Sequence, residues 1–159
     1  MKEVAVLLEK ANKSLEVADH LAYVTYPMVK EPKLGFTITE HLYNACNNAI
    51  DALLFYEYAY KRIENCQNEG FAKKMDIFKR TIAPRYNIDR KQLFIIEDMH
   101  SLLSYRKKSQ IEFVKKDKVI ICNPDFDIRT ITMEKIKSYV YESKNFLIKI
   151  NSMLKPTLR

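Results

Sequence analysis

The stretch EHLYNACNNAIDALLFYEYAY, residues 40–60, decides the fold. Leu42, Cys46, Ala49, Leu53, Tyr56, Tyr60 and Ile63 recur at spacings of three and four. At 100° per residue they fall within an arc of about 100°, one face of a helix. Beyond Asp51 the segment is apolar nearly all round (Ala52, Leu53, Leu54, Phe55, Tyr56, Tyr58), as expected of a helix at the centre of a bundle. Opposite the apolar arc, Glu40, His41, Asn44, Asn47, Asn48 and Asp51 project within about 120° of one another. Two adjacent asparagines are poor helix formers and unusual on a solvated face. The stripe is open to three readings: a solvated surface, amide bonds to neighbouring loops, or the polar wall of a groove.

Working outward, Thr37 or Thr39 is the expected cap of this second helix. A first helix is expected from Val4, Leu8, Ala11, Leu15, Ala18 and Ala22, with Pro27 and Pro32 ending it and Pro27–Phe36 a loop. Downstream, Gly70 marks a break after a polar stretch. Phe71, Met75, Phe78 and Ile82 then read as a short third helix stopped at Pro84, and Ile88 to about Gln110 as a fourth, capped by Asn87 or Asp89. Glu112–Cys122 changes period and reads as a β-hairpin turning at Lys116–Asp117, followed by a loop over Asn123–Asp127. Thr132 caps a last helix carrying Met133, Ile136, Val140, Ser143, Leu147, Ile150 and Leu154. The expected fold is all-α: an up-and-down bundle of four to five helices with a small β-hairpin inserted before the last helix. No linker or internal repeat divides residues 1–159, so one domain is expected.

Composition supports this and removes many functions. The chain has 159 residues, 47% of them hydrophobic and 30% charged, with only two glycines. That is the size of one ordinary core, with too few glycines for a turn-rich β-sandwich or barrel. Gly35 and Gly70 lie too far apart for a glycine-rich phosphate loop. Cys46, Cys66 and Cys122 are odd in number and share no CxxC spacing, which fits a reducing, cytoplasmic setting. No apolar run is long enough to span a membrane, and Met1–Glu16 alternates charged and apolar residues, so no signal peptide is expected there. His20, His41 and His100 have no metal-ligand spacing to one another or to cysteine, so neither a metal nor a cofactor is expected.

The net charge of +7 is unevenly spread. Residues 1–60 hold 5 basic and 8 acidic side chains, and residues 61–159 hold 22 basic and 12 acidic. Lys107, Lys108, Lys115, Lys116 and Lys118 form the densest cluster. Such a cluster either keeps the surface soluble or meets a polyanion such as nucleic acid. Arg106 stands just before it and projects into the apolar arc formed by Ile95, Ile96, Met99, Leu102 and Leu103. A guanidinium in that position needs a carboxylate, amide oxygens or an anionic ligand. Asp51 or Asn47 on the second helix is a possible partner, and His100 lies at the edge of the same face.

The order of helices, the segment His100-Ser-Leu-Leu-Ser-Tyr-Arg106, the basic run from Arg106 to Lys118 and the final helix opening at Thr132-Met-Glu-Lys together resemble the HEPN superfamily. These are the "higher eukaryotes and prokaryotes nucleotide-binding" domains, and the resemblance is to an archaeal-style branch. It extends over essentially the whole chain. It implies a helical homodimer. Many members are metal-independent ribonucleases in which an Arg-x4–6-His motif binds phosphate through the arginine and moves protons through the histidine. Here Arg106 matches, whereas Ile111, Glu112 and Phe113 stand where the histidine would follow, and no histidine occurs after His100. Losing such a general acid–base typically costs a factor of about 10²–10⁴.

Three functions follow from the resemblance and the charge. The first is a nucleotide- or RNA-binding domain without nuclease activity, its ligand held by Arg106, Asn47, Asn48, Asp51, Lys107 and Lys108. The second is a metal-independent endoribonuclease, of the kind found as a toxin in toxin–antitoxin pairs, with a variant active site for which Glu112 is a weak candidate base. The third is an interaction partner of a minimal nucleotidyltransferase. The apolar and aromatic excess of the second helix (Phe55, Tyr56, Tyr58, Tyr60) is the expected homodimer surface.

Overall fold

The computed structural model describes all residues, Met1–Arg159. Its helices are α1 (Lys2–His20), α2 (Tyr26–Val29), α3 (Leu34–Ala59), α4 (Phe71–Ile77), α5 (Ala83–Tyr86), α6 (Arg90–Lys108) and α7 (Met133–Leu154). The strands β1 (Ile111–Lys115), β2 (Lys118–Cys122) and β3 (Ile128–Ile131) lie between α6 and α7. The chain is thus mostly helical with one small sheet, and no helix is long and apolar enough to cross a membrane.

The 26-residue α3 is the centre, as its periodicity requires. It packs on α1 along most of its length, and on α7 and α6 over shorter stretches. Phe36, Ile38, Leu42, Cys46, Ile50 and Leu53 are buried on it, within one core cluster that also takes Phe78, Ile96, Met99, Leu102, Phe146 and Ile150. Each such large side chain contributes about 1.5–3 kcal/mol by leaving water. Polar ties fix the register of the helices. Asn12 on α1 and Asn151 on α7 exchange amide hydrogen bonds of 3.0 and 2.9 Å. The fully buried Glu57 on α3 accepts from Arg62 at 3.0 Å, and also from Arg85 and from the Tyr86 hydroxyl.

Three expectations need correction. The central helix begins at Leu34, not after Thr37 or Thr39. Thr39 is buried inside it and donates its hydroxyl to the Gly35 carbonyl at 2.7 Å. A Cβ on Gly35 would sit 3.3 Å from Ile136 Cγ1, so the missing side chain lets the first turn lie close against α7.

Pro27 and Pro84, read as helix stops, are instead carried within helical chain. In both places a five-residue π turn (Leu21–Thr25, Phe78–Ile82) precedes a four-residue helix bearing the proline. Proline lacks an N–H and clashes with the carbonyl four residues back, and a widened turn upstream relieves both. Each unit then ends in a left-handed residue, Lys30 (φ 51°) or Asn87 (φ 54°).

The expected hairpin is present, turning at Lys116–Asp117 with Lys116 at φ 58°. It is, however, part of a three-stranded antiparallel sheet of order β1-β2-β3. The Asn123 side chain folds the connecting loop by accepting from the Asp125 and Asp127 amides at 3.0 and 3.1 Å, which returns Ile128–Ile131 alongside β2. The sheet is pinned to the helices through Asp98 on α6. That carboxylate accepts from Arg129 of β3 at 3.1 Å and from the Tyr139 hydroxyl of α7, with Lys135 at 3.5 Å. The Tyr105 hydroxyl donates to the Asp127 carbonyl.

Candidate functional site

Helices α3 and α6 leave a groove of about 560 Å³ between their exposed sides. Glu40, Tyr43 and Asn44 line it from α3, and His100, Leu103, Ser104, Arg106 and Lys107 from α6. The α3 residues are spaced i, i+3, i+4, and His100, Leu103, Ser104 and Lys107 are spaced i, i+3, i+4, i+7, so each helix presents one continuous face.

Arg106 occupies the end of this groove. Its Nε donates to Glu112 Oε1 at 2.9 Å, and its guanidinium carbon lies 3.9 Å from the centroid of the Phe36 ring. The two terminal nitrogens have no hydrogen-bond partner in the protein. The side chain is 34% exposed, so it is neither free at the surface nor sealed in the core. Glu112 is also 3.3 Å from Lys33, and Arg106 and Lys33 together hold its carboxyl below the usual range. Stacked below and bonded at one edge, the guanidinium presents its other edge as a two-pronged donor for an anion.

The opposite end is aromatic. The His100 ring stacks on Phe71 with centroids 4.2 Å apart, and Tyr43 lies 5.5 Å from both. Burial, reinforced by Lys107, pushes the His100 pKa below its usual 6.5, so the imidazole is neutral at pH 7. Burial, aided by Asp51, raises the Tyr43 hydroxyl pKa. The groove therefore combines an unpartnered guanidinium edge, a neutral imidazole and flat aromatic surface, with Glu40, Asn44 and Ser104 as hydrogen-bonding groups.

Arg106 and Lys107 thus face the groove, joined by Glu40 and Asn44 of the polar stripe. Asn47, Asn48, Asp51 and Lys108 are not among its lining residues. Arg106 meets neither Asp51 nor Asn47, its suggested partners. It lies over Phe36, and Asp51 is fifteen residues further along α3, or roughly 22 Å at 1.5 Å per residue. Asp51 instead pairs with Lys74 at 2.9 Å, in the wall of a second cavity of about 590 Å³ between α1, α3 and the Cys66 loop. Lys108 is exposed beside the sheet, and Asn47 and Asn48 are half-buried on α3.

Sequence reasoning missed Tyr43 and Ser104 as groove residues and Glu112 as the partner of Arg106. The two i, i+3, i+4 faces carried the first signal. Glu112 carried none, because its approach depends on how the chain turns at Ser109 between α6 and β1. Burial pushes the Cys46 thiol up to about 12 and also raises Cys66, which disfavours both as nucleophiles. No cluster of three or more His, Cys, Asp or Glu side chains has the geometry to hold a metal ion. In comparisons with known proteins, no family model, no curated protein and no solved structure matches this chain.

Proposed function

We propose that the chain is a HEPN-like domain that binds a nucleotide, or the phosphate of an RNA, in the groove between α3 and α6 without cleaving it. One observation carries the reading: Arg106 lines the groove, held at Nε by Glu112 and stacked on Phe36, while its two terminal nitrogens have no hydrogen-bond partner in the protein. A phosphate there would accept two parallel N–H bonds and add the charge of Lys107. Tyr43 and His100 would give a base a flat wall. On the same reading the chain works as a homodimer, supported by Tyr58 and Tyr60, which are exposed at the end of α3. Pairing with a minimal nucleotidyltransferase rests on the family resemblance. Isothermal titration of the intact protein with ATP and with a short single-stranded RNA tests the groove. Binding abolished by Arg106→Ala and not restored by Arg106→Lys supports it; equal affinity in all three proteins refutes it.

A second reading is favoured by His100. The family's histidine follows its arginine, but here a neutral imidazole that precedes Arg106 shares its groove. A neutral imidazole in the same groove as a phosphate-binding arginine is equipped to take the proton of an attacking 2′-hydroxyl. Cleavage of single-stranded RNA in EDTA, lost in His100→Ala, would replace the binding reading with this one.

A further inference from the structure

The sheet has two unlike faces. In the antiparallel register, cross-strand partners share a side and side chains alternate along each strand. Val119, Ile121 and Ile131 point to the core and are 0%, 0% and 3% exposed. The outward face carries Ile111, Phe113 and Lys115 from β1, Lys118 and Ile120 from β2, and Ile128 from β3. A solvated face of an antiparallel sheet is ordinarily polar. Here Ile111, Phe113 and Ile128 are 56%, 46% and 66% exposed, and Lys115 and Lys118 stand opposite each other at the hairpin end.

The lysines are the second observation. Lys107, Lys108, Lys115, Lys116 and Lys118 form no ion pair, whereas Lys74, Lys79, Lys135 and Lys144 on the helices do. Glu112, the nearest acid on β1, points to the other face and is already held by Arg106 and Lys33. Asp117 in the turn also forms no ion pair, leaving the hairpin end strongly positive. An exposed ring amid uncompensated lysines matches what an unpaired, negatively charged strand of bases requires: π-surface for the base and cations for its phosphates.

We propose that this outward face is a platform for single-stranded nucleic acid, with a base stacked on Phe113 and the flanking phosphates held by Lys115 and Lys118. A protein partner fits less well, because interface centres are depleted in lysine. An anionic membrane fits less well too. The most exposed ring, Phe126, lies at the end of the sheet away from Lys115, Lys116 and Lys118 and is flanked by Asp125 and Asp127. The platform lies apart from the Arg106 groove, since Glu112 and Phe113 point to opposite faces of β1. It rests on the groove reading only in taking nucleic acid as the ligand.

The test is fluorescence anisotropy of a labelled short single-stranded RNA with the intact chain at low salt, with ATP titrated separately. Circular dichroism checks that each variant is folded. Phe113→Ala should weaken RNA binding roughly tenfold or more, and Phe113→Tyr should retain it, since a lost stack is worth about 1–3 kcal/mol and tyrosine keeps the ring. Lys115→Ala with Lys118→Ala should flatten the salt dependence by about 1.4 in log–log slope, for two phosphates at roughly 0.7 each. Arg106→Ala should leave the Phe113 effect intact while removing ATP binding. Four results would overturn the platform: no RNA binding by the wild type, folded Phe113→Ala binding as tightly as wild type, equal binding of duplex and single strand, or a Phe113-dependent preference for phosphatidylserine vesicles. If ATP still binds through Arg106 in any of these cases, the groove reading stands alone.

Discussion

A 2.9 Å hydrogen bond from Arg106 Nε to Glu112 Oε1 joins the last turn of α6 to the second residue of β1. It spans six residues of sequence and holds the arginine in its pose. Because Lys33 stands on the other carboxylate oxygen, Glu112 keeps a cation when Arg106 is removed. Arg106→Ala should therefore cost only about 1 kcal/mol, a fall of roughly 2–4 °C in a thermal melt. A loss several times larger would make the residue a structural pivot in place of a binding group.

The same pair gives a pH signature. The folded pKa of Glu112 is depressed by Arg106 first and Lys33 second, so its stabilisation is complete above the unfolded value near 4.5 and disappears as pH falls through the lower folded value. Glu112→Gln should lower stability at neutral pH and flatten the acid limb of the stability curve below about 4.5. Urea melts from pH 7 down to 3 measure both. An unaltered acid limb would show that the carboxylate is not held by its two cations.

His100 titrates in the opposite setting. Its folded pKa lies below 6.5, so the folded protein resists a proton that the unfolded chain accepts, and this contribution to stability is lost as pH falls. In the folded protein the Nε2 and Nδ1 shifts of His100 should titrate below the usual histidine value. Anion affinity in the groove should rise over the same interval, as the ring adds its charge to those of Arg106 and Lys107 in the groove. Nitrogen NMR of the three histidines distinguishes His100, and affinity that is flat or falling through its titration would contradict the assignment.

Glu57 is a structural counterpart, with no exposure and three donors on its carboxylate. Arg62 and Arg85 are 40% and 42% exposed, so truncating the acid releases them to water in place of stranding them. Glu57→Ala should cost roughly 2–4 kcal/mol, between a surface pair and a sealed one, and lower the melting temperature by about 5–15 °C. Ligand affinity should not change, since Glu57 lines neither end of the groove. A shift of under 2 °C would mean the network is not holding α5 to α3.

The sheet depends on Asp98, which bonds Arg129, Tyr139 and Lys135 at once. Burial, and next the hydrogen bond that Tyr139 donates to Asp98, raises the pKa of that hydroxyl. Asp98→Asn should speed amide exchange in β3 and the Asn123 loop while leaving α3 protected, because α3 draws its stability from apolar packing. Uniform acceleration along the whole chain would instead make Asp98 part of the global core.

The elements that were legible are those whose signal is local. The 3–4 spacing from Leu42 to Ile63 marks the central helix, Thr132 and Asp89 accept from the amides of Lys135 and Lys91 as helix caps, and the two-residue turn at Lys116–Asp117 sits where the apolar strands flank it. What was not legible depends on contacts from elsewhere. Pro27 and Pro84 are breakers by local chemistry, and only the π turns ahead of them let the chain run on. β3 has four residues and becomes a strand by pairing with β2 and bonding Asp98. In the site, Arg106 was legible as an arginine on an apolar face. Its true partner was not, because Glu112 meets it through tertiary folding, and Asp51, though on the right stripe, lies about four turns away.

The central claim is that the free edge of the Arg106 guanidinium binds phosphate. The most direct measurement is a nitrogen-edited NMR spectrum of the arginine side chains, recorded while ATP is added to the intact protein. Saturable shifts of the Arg106 terminal nitrogens, matched by His100 and Lys107 and absent at Arg129, whose terminal nitrogens already bond Asp98 and Ser101, are the expected result. Shifts confined to other arginines, or none at Arg106 at saturating ATP, would contradict it.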